Sequence, residues 1–228
     1  MAKKIYLSPS NQNGNLYKGQ NTNEMEQCNR IAAAAEKHLK RNGYETKRAP
    51  KGQDMSKSIA ESNKWGADIH IPIHTNAGGG KGPLVMVYSK ESGNMKYAQP
   101  VYDALLKNAP KGGGYGVKRD LDVCGYTLAE VQNTAGVTVY CECEFHDSAD
   151  LAKWIVANVN KIGEAIAKGI CKADGKSYIK EKPAAAPAKK DTIYRVQVGA
   201  FSEKKNAEAM EKKLKKDGYS TIVKEEKK

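Results

Sequence analysis

A chain of 228 residues is long for one ordinary domain and short for two full ones, which implies a main domain with an appendage. With 39% hydrophobic and 28% charged residues it reads as globular rather than disordered or collagen-like, and no run approaches the roughly eighteen apolar residues that span a bilayer, so no membrane partner is expected. The 38 Lys and Arg against 26 Asp and Glu leave a net +12, and residues 176–228 hold 15 basic and 8 acidic side chains, or +7, a surface suited either to polyanions or only to solubility.

Met1-Ala2-Lys3-Lys4 runs into Ile5-Tyr6-Leu7, a short buried strand with no apolar leader before it, so synthesis in the cytoplasm without a secretory signal is expected. The polar stretch 11–21 is a loop. Thr22 or Asn23 can cap a helix in which Met25, Cys28, Ile31, Ala32, Ala35 and Leu39 recur at helical spacing until Gly43. Tyr44–Lys47 reads as a strand, Met55–Trp65 as a helix, and Ala67–His74 as a buried strand entering Thr75-Asn76-Ala77 and a glycine-rich loop. A strand at Leu84–Tyr88, a helix at Met95–Ala109, an irregular segment 111–132, a strand at Gly136–Glu142 and a long helix at Ser148–Cys171 follow. This alternation predicts an α/β fold: a twisted, mostly parallel sheet with helices on both faces, over residues 1–175.

Residues 176–192, with two prolines among Ala and Lys, predict an extended linker. Residues 193–228 then predict a small βαβ half-module: Tyr194–Gly199 alternates as a strand, Ser202 caps a helix through Lys216, and Thr221–Lys224 forms a second strand. A unit of that size buries too little surface to stand alone, so pairing is expected. Cys28, Cys124, Cys141, Cys143 and Cys171 are odd in number and lie in apolar segments without CxxC spacing, which reads as reduced core thiols.

In parallel α/β sheets ligands bind beyond the carboxyl ends of the strands, where Ser8–Gln12, His74-Thr75-Asn76 and Glu142–Asp147 fall, with Glu24 on the first turn of the helix behind. His and Glu converging there without a phosphate loop suggest a zinc hydrolase, although any α/β protein has polar strand ends. His70 shares a strand face with His74 but lies about 13 Å from it, too far to share one ion. It is expected to be buried, and His38, near the end of the first helix, to be solvated.

At these positions the sequence resembles the zinc-dependent N-acetylmuramoyl-L-alanine amidases of autolysins and phage endolysins. The matching residues are Ser8-Pro9-Ser10-Asn11, Glu24 before Ile31-Ala32, Pro72-Ile73-His74-Thr75-Asn76-Ala77, and Glu142-Cys143-Glu144-Phe145. The resemblance implies cleavage of the amide between N-acetylmuramic acid and L-alanine of peptidoglycan. It also implies Zn2+ held by Glu24 and His74, Glu142 as general base, and Asn76 at the substrate. Where the family carries its first histidine ligand this chain has Asn11, followed by Gln12. Either an amide serves, or another residue such as His146 completes the metal site or stands behind it, or affinity is low. Glu26 and Glu144 are separated from Glu24 and Glu142 only by register.

The stretch Tyr194–Ser202 with Asn206-Ala207-Glu208 and Gly218-Tyr219 resembles half of a sporulation-related (SPOR) repeat, a peptidoglycan-binding module, which implies wall affinity; the pairing that its size calls for is met most simply by the same segment of a second chain, a homodimer through residues 193–228. The alternative reading is a non-catalytic wall-binding protein that keeps the fold. Nucleic acid is not an expected partner, because charge alone argues for it and no groove-reading helix or paired aromatics accompany the charge.

Overall fold

The structure, a computed structural model, describes residues 2–180 and 196–226. In chain order it forms β1 (Lys4–Pro9), α1 (Glu24–Arg41), β2 (Glu45–Arg48), α2 (Met55–Trp65), β3 (Ile69–Asn76), β4 (Leu84–Val87), α3 (Ser92–Asn108), β5 (Gly116–Arg119), α4 (Asp120–Cys124), α5 (Ala129–Gln132), β6 (Val137–Thr138), β7 (Tyr140–Phe145), α6 (Ala149–Ala173) and α7 (Lys204–Lys216). The sheet runs β2-β1-β3-β7-β4-β5, with β6 added to β3. Pairing is parallel except where β4 meets β7. That reversal has a simple cause: residues 77–83 are too few for a crossover, so the chain leaving β3 comes straight back and β7 enters between the two strands.

The strand period of two divides the sheet into unlike faces. Ile5, Leu7, Ile69, Ile71, Ile73, Val85, Val87, Cys141 and Cys143 point to the face covered by α1, α3 and α6 and form the main core. Ile69, Ile71 and Ile73 are fully buried, each contributing about 1.5–3 kcal/mol of transfer free energy. Tyr6, His70, His74, Tyr140, Glu142 and Glu144 point to the other face, which α2 and α5 cover with two small apolar clusters around Tyr6 and Tyr140. Asn23 caps α1, its side chain accepting from the backbone N–H of Glu26 at 3.0 Å, so the first helical residue is Glu24 and stands at the carboxyl rim of the sheet.

Helix α6 touches both neighbours through glycine. A Cβ on Gly163 would lie 2.5 Å from the Ala35 nitrogen of α1, and one on Gly169 would lie 2.4 Å from Val101 Cα of α3. Among the described residues no helix is long and apolar enough to cross a membrane. All five cysteines are free thiols, and Cys124 alone is only half-buried.

Several expectations are corrected: the segment 111–132, expected to be irregular, carries β5, α4 and α5. His38 is buried: its ring nitrogens lie 2.8 Å from Tyr178 Oη and 3.2 Å from Asn160 Oδ1, because α6 and the chain just past it pack over the end of α1. The tail forms its helix, but the flanking segments 196–201 and 219–226 form no strands. Two short strands without a third strand or a core to pack on are marginal in water. Tyr194 and Arg195, like residues 181–192 of the linker, lie outside the described residues. Glu203 rather than Ser202 takes the N-cap position, without a side-chain cap. The chain divides into two compact units, Met1–Glu181 and Lys182–Lys228.

Candidate active site

Glu24 and His74 come from different elements and meet at the carboxyl rim. Glu24 Oε1 lies 2.9 Å from His74 Nδ1, with Glu24 at 1% exposure and His74 at 9%. The loop before α1 folds back over this contact: Asn15 Nδ2 donates to Glu24 Oε2 and to Gln12 Oε1, both at 2.6 Å, so Gln12, Asn15, Glu24 and His74 form one chain of polar contacts. Asn11 lines the same groove as His74, its Nδ2 donating to the Gln53 carbonyl at 3.3 Å. The His74 ring stacks on Tyr140 with centroids 4.7 Å apart.

Glu142 is the register partner of His74 across β3 and β7, and its Oε2 is buried without a hydrogen-bond partner. Burial pushes its carboxyl up to about 7; the His74 charge opposes that rise and the Glu24 charge adds to it. Burial alone would lower the His74 pKa, but the Glu24 hydrogen bond and the charges of Glu142, Glu24 and Glu130 outweigh it and the imidazole titrates above its ordinary value. Glu24 runs the other way: burial raises it, while the His74 and Asn15 contacts hold it below the usual carboxylate range.

The neighbouring glutamates have other work. Glu26 pairs with Lys51 on the surface. Glu144 accepts from the backbone N–H of Gly82 at 2.6 Å and of Phe145 at 3.0 Å, so it braces the glycine loop. Asn76 Oδ1 accepts from its own loop at Ala77 N, 2.8 Å away. His146 is not brought to His74. Its ring stacks on Tyr17 at 5.2 Å and its Nδ1 lies 3.0 Å from Thr75 Oγ1, which in turn lies 2.9 Å from Tyr17 Oη. That cluster pins the loop carrying Gln12 and Asn15.

Beside the Glu24–His74 contact opens a groove of about 410 Å³, with Ser10, Gln12 and Met55 on one wall, Tyr126 and Leu128 on the other, and Tyr140 at its floor. Sequence reasoning missed Asn15, Tyr140 and Tyr126. Tyr140 was within reach, being two residues before Glu142 on the same strand face; a polar loop has no periodicity to single out Asn15.

The sequence model of the N-acetylmuramoyl-L-alanine amidase family matches residues 10–172, more than half of the chain, and that of the SPOR domain matches residues 178–228. The chain belongs to the N-acetylmuramoyl-L-alanine amidase family. Its relatives include the amidase CwlM of Bacillus licheniformis, 24% identical over 96% of this chain and 84% of that one. Among solved structures, an N-acetylmuramoyl-L-alanine amidase from Clostridium difficile 630 superposes with a TM-score of 0.66 at 16% identity, covering 76% of this chain and 97% of its own. AmiC2 of Nostoc punctiforme gives 0.65 at 14%, covering 76% and 98%. Family membership makes this amidase a hydrolase of peptidoglycan, acting on the cell wall, and the mostly parallel α/β sheet is the fold it shares with these neighbours. Among the described residues no three His, Cys, Asp or Glu side chains of the amidase converge to hold a metal.

Proposed function

We propose that this chain cleaves the amide between N-acetylmuramic acid and L-alanine with zinc held by Glu24 and His74, an amide oxygen of the 11–15 loop completing the set. The observation that carries the reading is the pair itself: a carboxylate and an imidazole at 2.9 Å beside a buried carboxylate oxygen, on Glu142, that no protein group satisfies. A buried carboxyl oxygen without a partner next to two such donors fits a divalent cation, and carboxylate oxygen and imidazole nitrogen are ligands zinc accepts. Gln12 is the better amide on position, because its Oε1 already shares Asn15 with Glu24.

Zinc, when bound, polarises the scissile carbonyl and acidifies water. The chain's own residues do the rest. Glu142 takes the proton of the attacking water and returns it to the leaving amine of L-alanine. Tyr140 fixes the His74 ring by stacking, and the groove between Met55 and Tyr126 orients the substrate. Purified peptidoglycan incubated with the protein is expected to release L-alanine amino termini, and chelation to abolish that release; intact stems after incubation with zinc-loaded protein would overturn the reading in favour of a wall-binding protein that has lost catalysis.

For the tail, the reading is wall affinity through a paired SPOR half. Val196 is 90% exposed, Ile222 86% and Tyr219 65%, apolar surface that a second copy of residues 193–228 would cover while rebuilding a four-stranded sheet. The full chain is expected to sediment as a dimer and a version ending at Glu181, which keeps the Tyr178 contact to His38, as a monomer. A monomeric full chain would sink the pairing, and equal glycan retention by both would remove the tail's role.

A further inference from the structure

The groove wall Tyr126–Ala129 runs from the irregular stretch after α4 into the first residue of α5, and Glu130 next to it also lines the groove. Asp120, fully buried, closes it into a loop by accepting from the backbone N–H of Leu121 at 2.9 Å and of Leu128 at 2.7 Å. A second buried carboxylate reaches from the wall to the sheet: Glu130 Oε1 lies 2.9 Å from His70 Nε2, and Nδ1 of the same ring lies 2.9 Å from Ser62 Oγ on α2. Exposure is 4% for Glu130, 0% for His70 and 1% for Ser62. Both contacts pass through the one imidazole ring, giving a continuous chain from α2 through β3 to the wall.

The residue types are those of a serine hydrolase triad, but no substrate can reach a sealed serine. What the chain does is hold the wall. Its apolar support is slight: Val131 with Leu128 and Cys124 rests on Leu84, Met86 and Tyr140, apart from the main core. His70 stands four residues before His74 on the same strand face, so the wall it holds and the reacting centre share one strand as their reference.

The geometry points to His70 and Glu130 as a buried latch that sets the position of the Tyr126–Ala129 wall over the groove, making both positioning residues for substrate binding. The inference rests on the amidase reading for its substrate but not for its mechanics. In the full zinc-loaded chain, Glu130→Ala is expected to raise KM for a soluble muropeptide about tenfold while kcat stays within threefold. It is also expected to speed amide hydrogen exchange across residues 121–132 at least tenfold without changing α1 or α6. Glu130→Gln, whose amide oxygen still accepts from Nε2, restores both. Ser62→Ala, which only frees the far nitrogen of the ring, gives the same pattern at smaller amplitude and serves if Glu130→Ala does not fold. An unchanged KM, a loss confined to kcat, or unchanged exchange at 121–132 would overturn the latch. If the wild-type chain cleaves no muropeptide, the amidase reading fails, and the exchange comparison still decides the latch.

Discussion

Glu142→Gln keeps the fold and slows the release of L-alanine amino termini by about 10²–10⁴, the usual weight of a general base. The change exchanges a carboxylate for an amide at nearly constant volume, where Oε2 has no hydrogen bond to lose. Burial lifts the Glu142 carboxyl to about 7, so near neutral pH it can both accept and return a proton. Turnover matching that of the unaltered enzyme would sink the assignment. The same shift leaves a mark on stability in the metal-free protein. The native carboxyl holds its proton up to about 7 while the unfolded one loses it near 4.5, so the unfolded state binds fewer protons across that window and stability falls as pH rises through it. Glu142→Gln removes this contribution. Measured with chelator present, the melting temperature of the variant relative to wild type is expected to climb from about pH 4.5 to about pH 7 and to stay flat below; a difference independent of pH would contradict it.

Glu24→Ala and His74→Ala each lose zinc, by more than the roughly 10–100-fold that removing an outer hydrogen-bond partner costs. Each also strands the other residue of a buried pair: without Glu24 the His74 imidazole loses the contact that keeps its proton, and without His74 a carboxylate at 1% exposure keeps only the uncharged Asn15 and Ser10. Equilibrium dialysis of zinc separates the remaining donors. Gln12→Ala is expected to weaken binding, Asn11→Ala to leave it close to wild type because Asn11 is tied to the Gln53 carbonyl while Gln12 shares Asn15 with Glu24, and His146→Ala to act only through the loop that Tyr17 and Thr75 hold with it. Identical affinities in all three variants would exclude a side-chain amide as the third donor.

Much of the main domain was legible because its period is unambiguous. Ile69, Ile71 and Ile73 alternate with His70 and His74, and Cys28, Ile31, Ala35 and Leu39 mark one face of α1, so sheet and helix could each be assigned from a single spacing. The reversal of β4 was hidden because strand direction depends on what enters between two strands, and β7 arrives more than fifty residues later in the chain. His38 was misjudged for a related reason: its position on α1 says nothing about Tyr178, which returns from the far end of α6 to cover it. At the site, the Glu24–His74 pair and Glu142 followed from strand-end logic and family register, whereas Asn15 and the Glu130–His70 contact depend on loop conformations that have no repeat to read. The tail failed as a pair of strands because alternation records a preference for extended backbone, and extended backbone becomes a strand only where tertiary packing holds it against a neighbour.

The glycines of α6 make that helix a mechanical spine as well as a cover. Gly163 lets it lie directly on the backbone of α1, and α1 begins at Glu24. A methyl group at Gly163 would therefore act as a wedge, pushing α1 as a stiff rod whose far end carries a catalytic-rim carboxylate set against His74. Glu24 and His74 are thus registered by packing at the opposite side of the sheet, and the grip on the reacting amide can be tuned from a seam that no substrate touches.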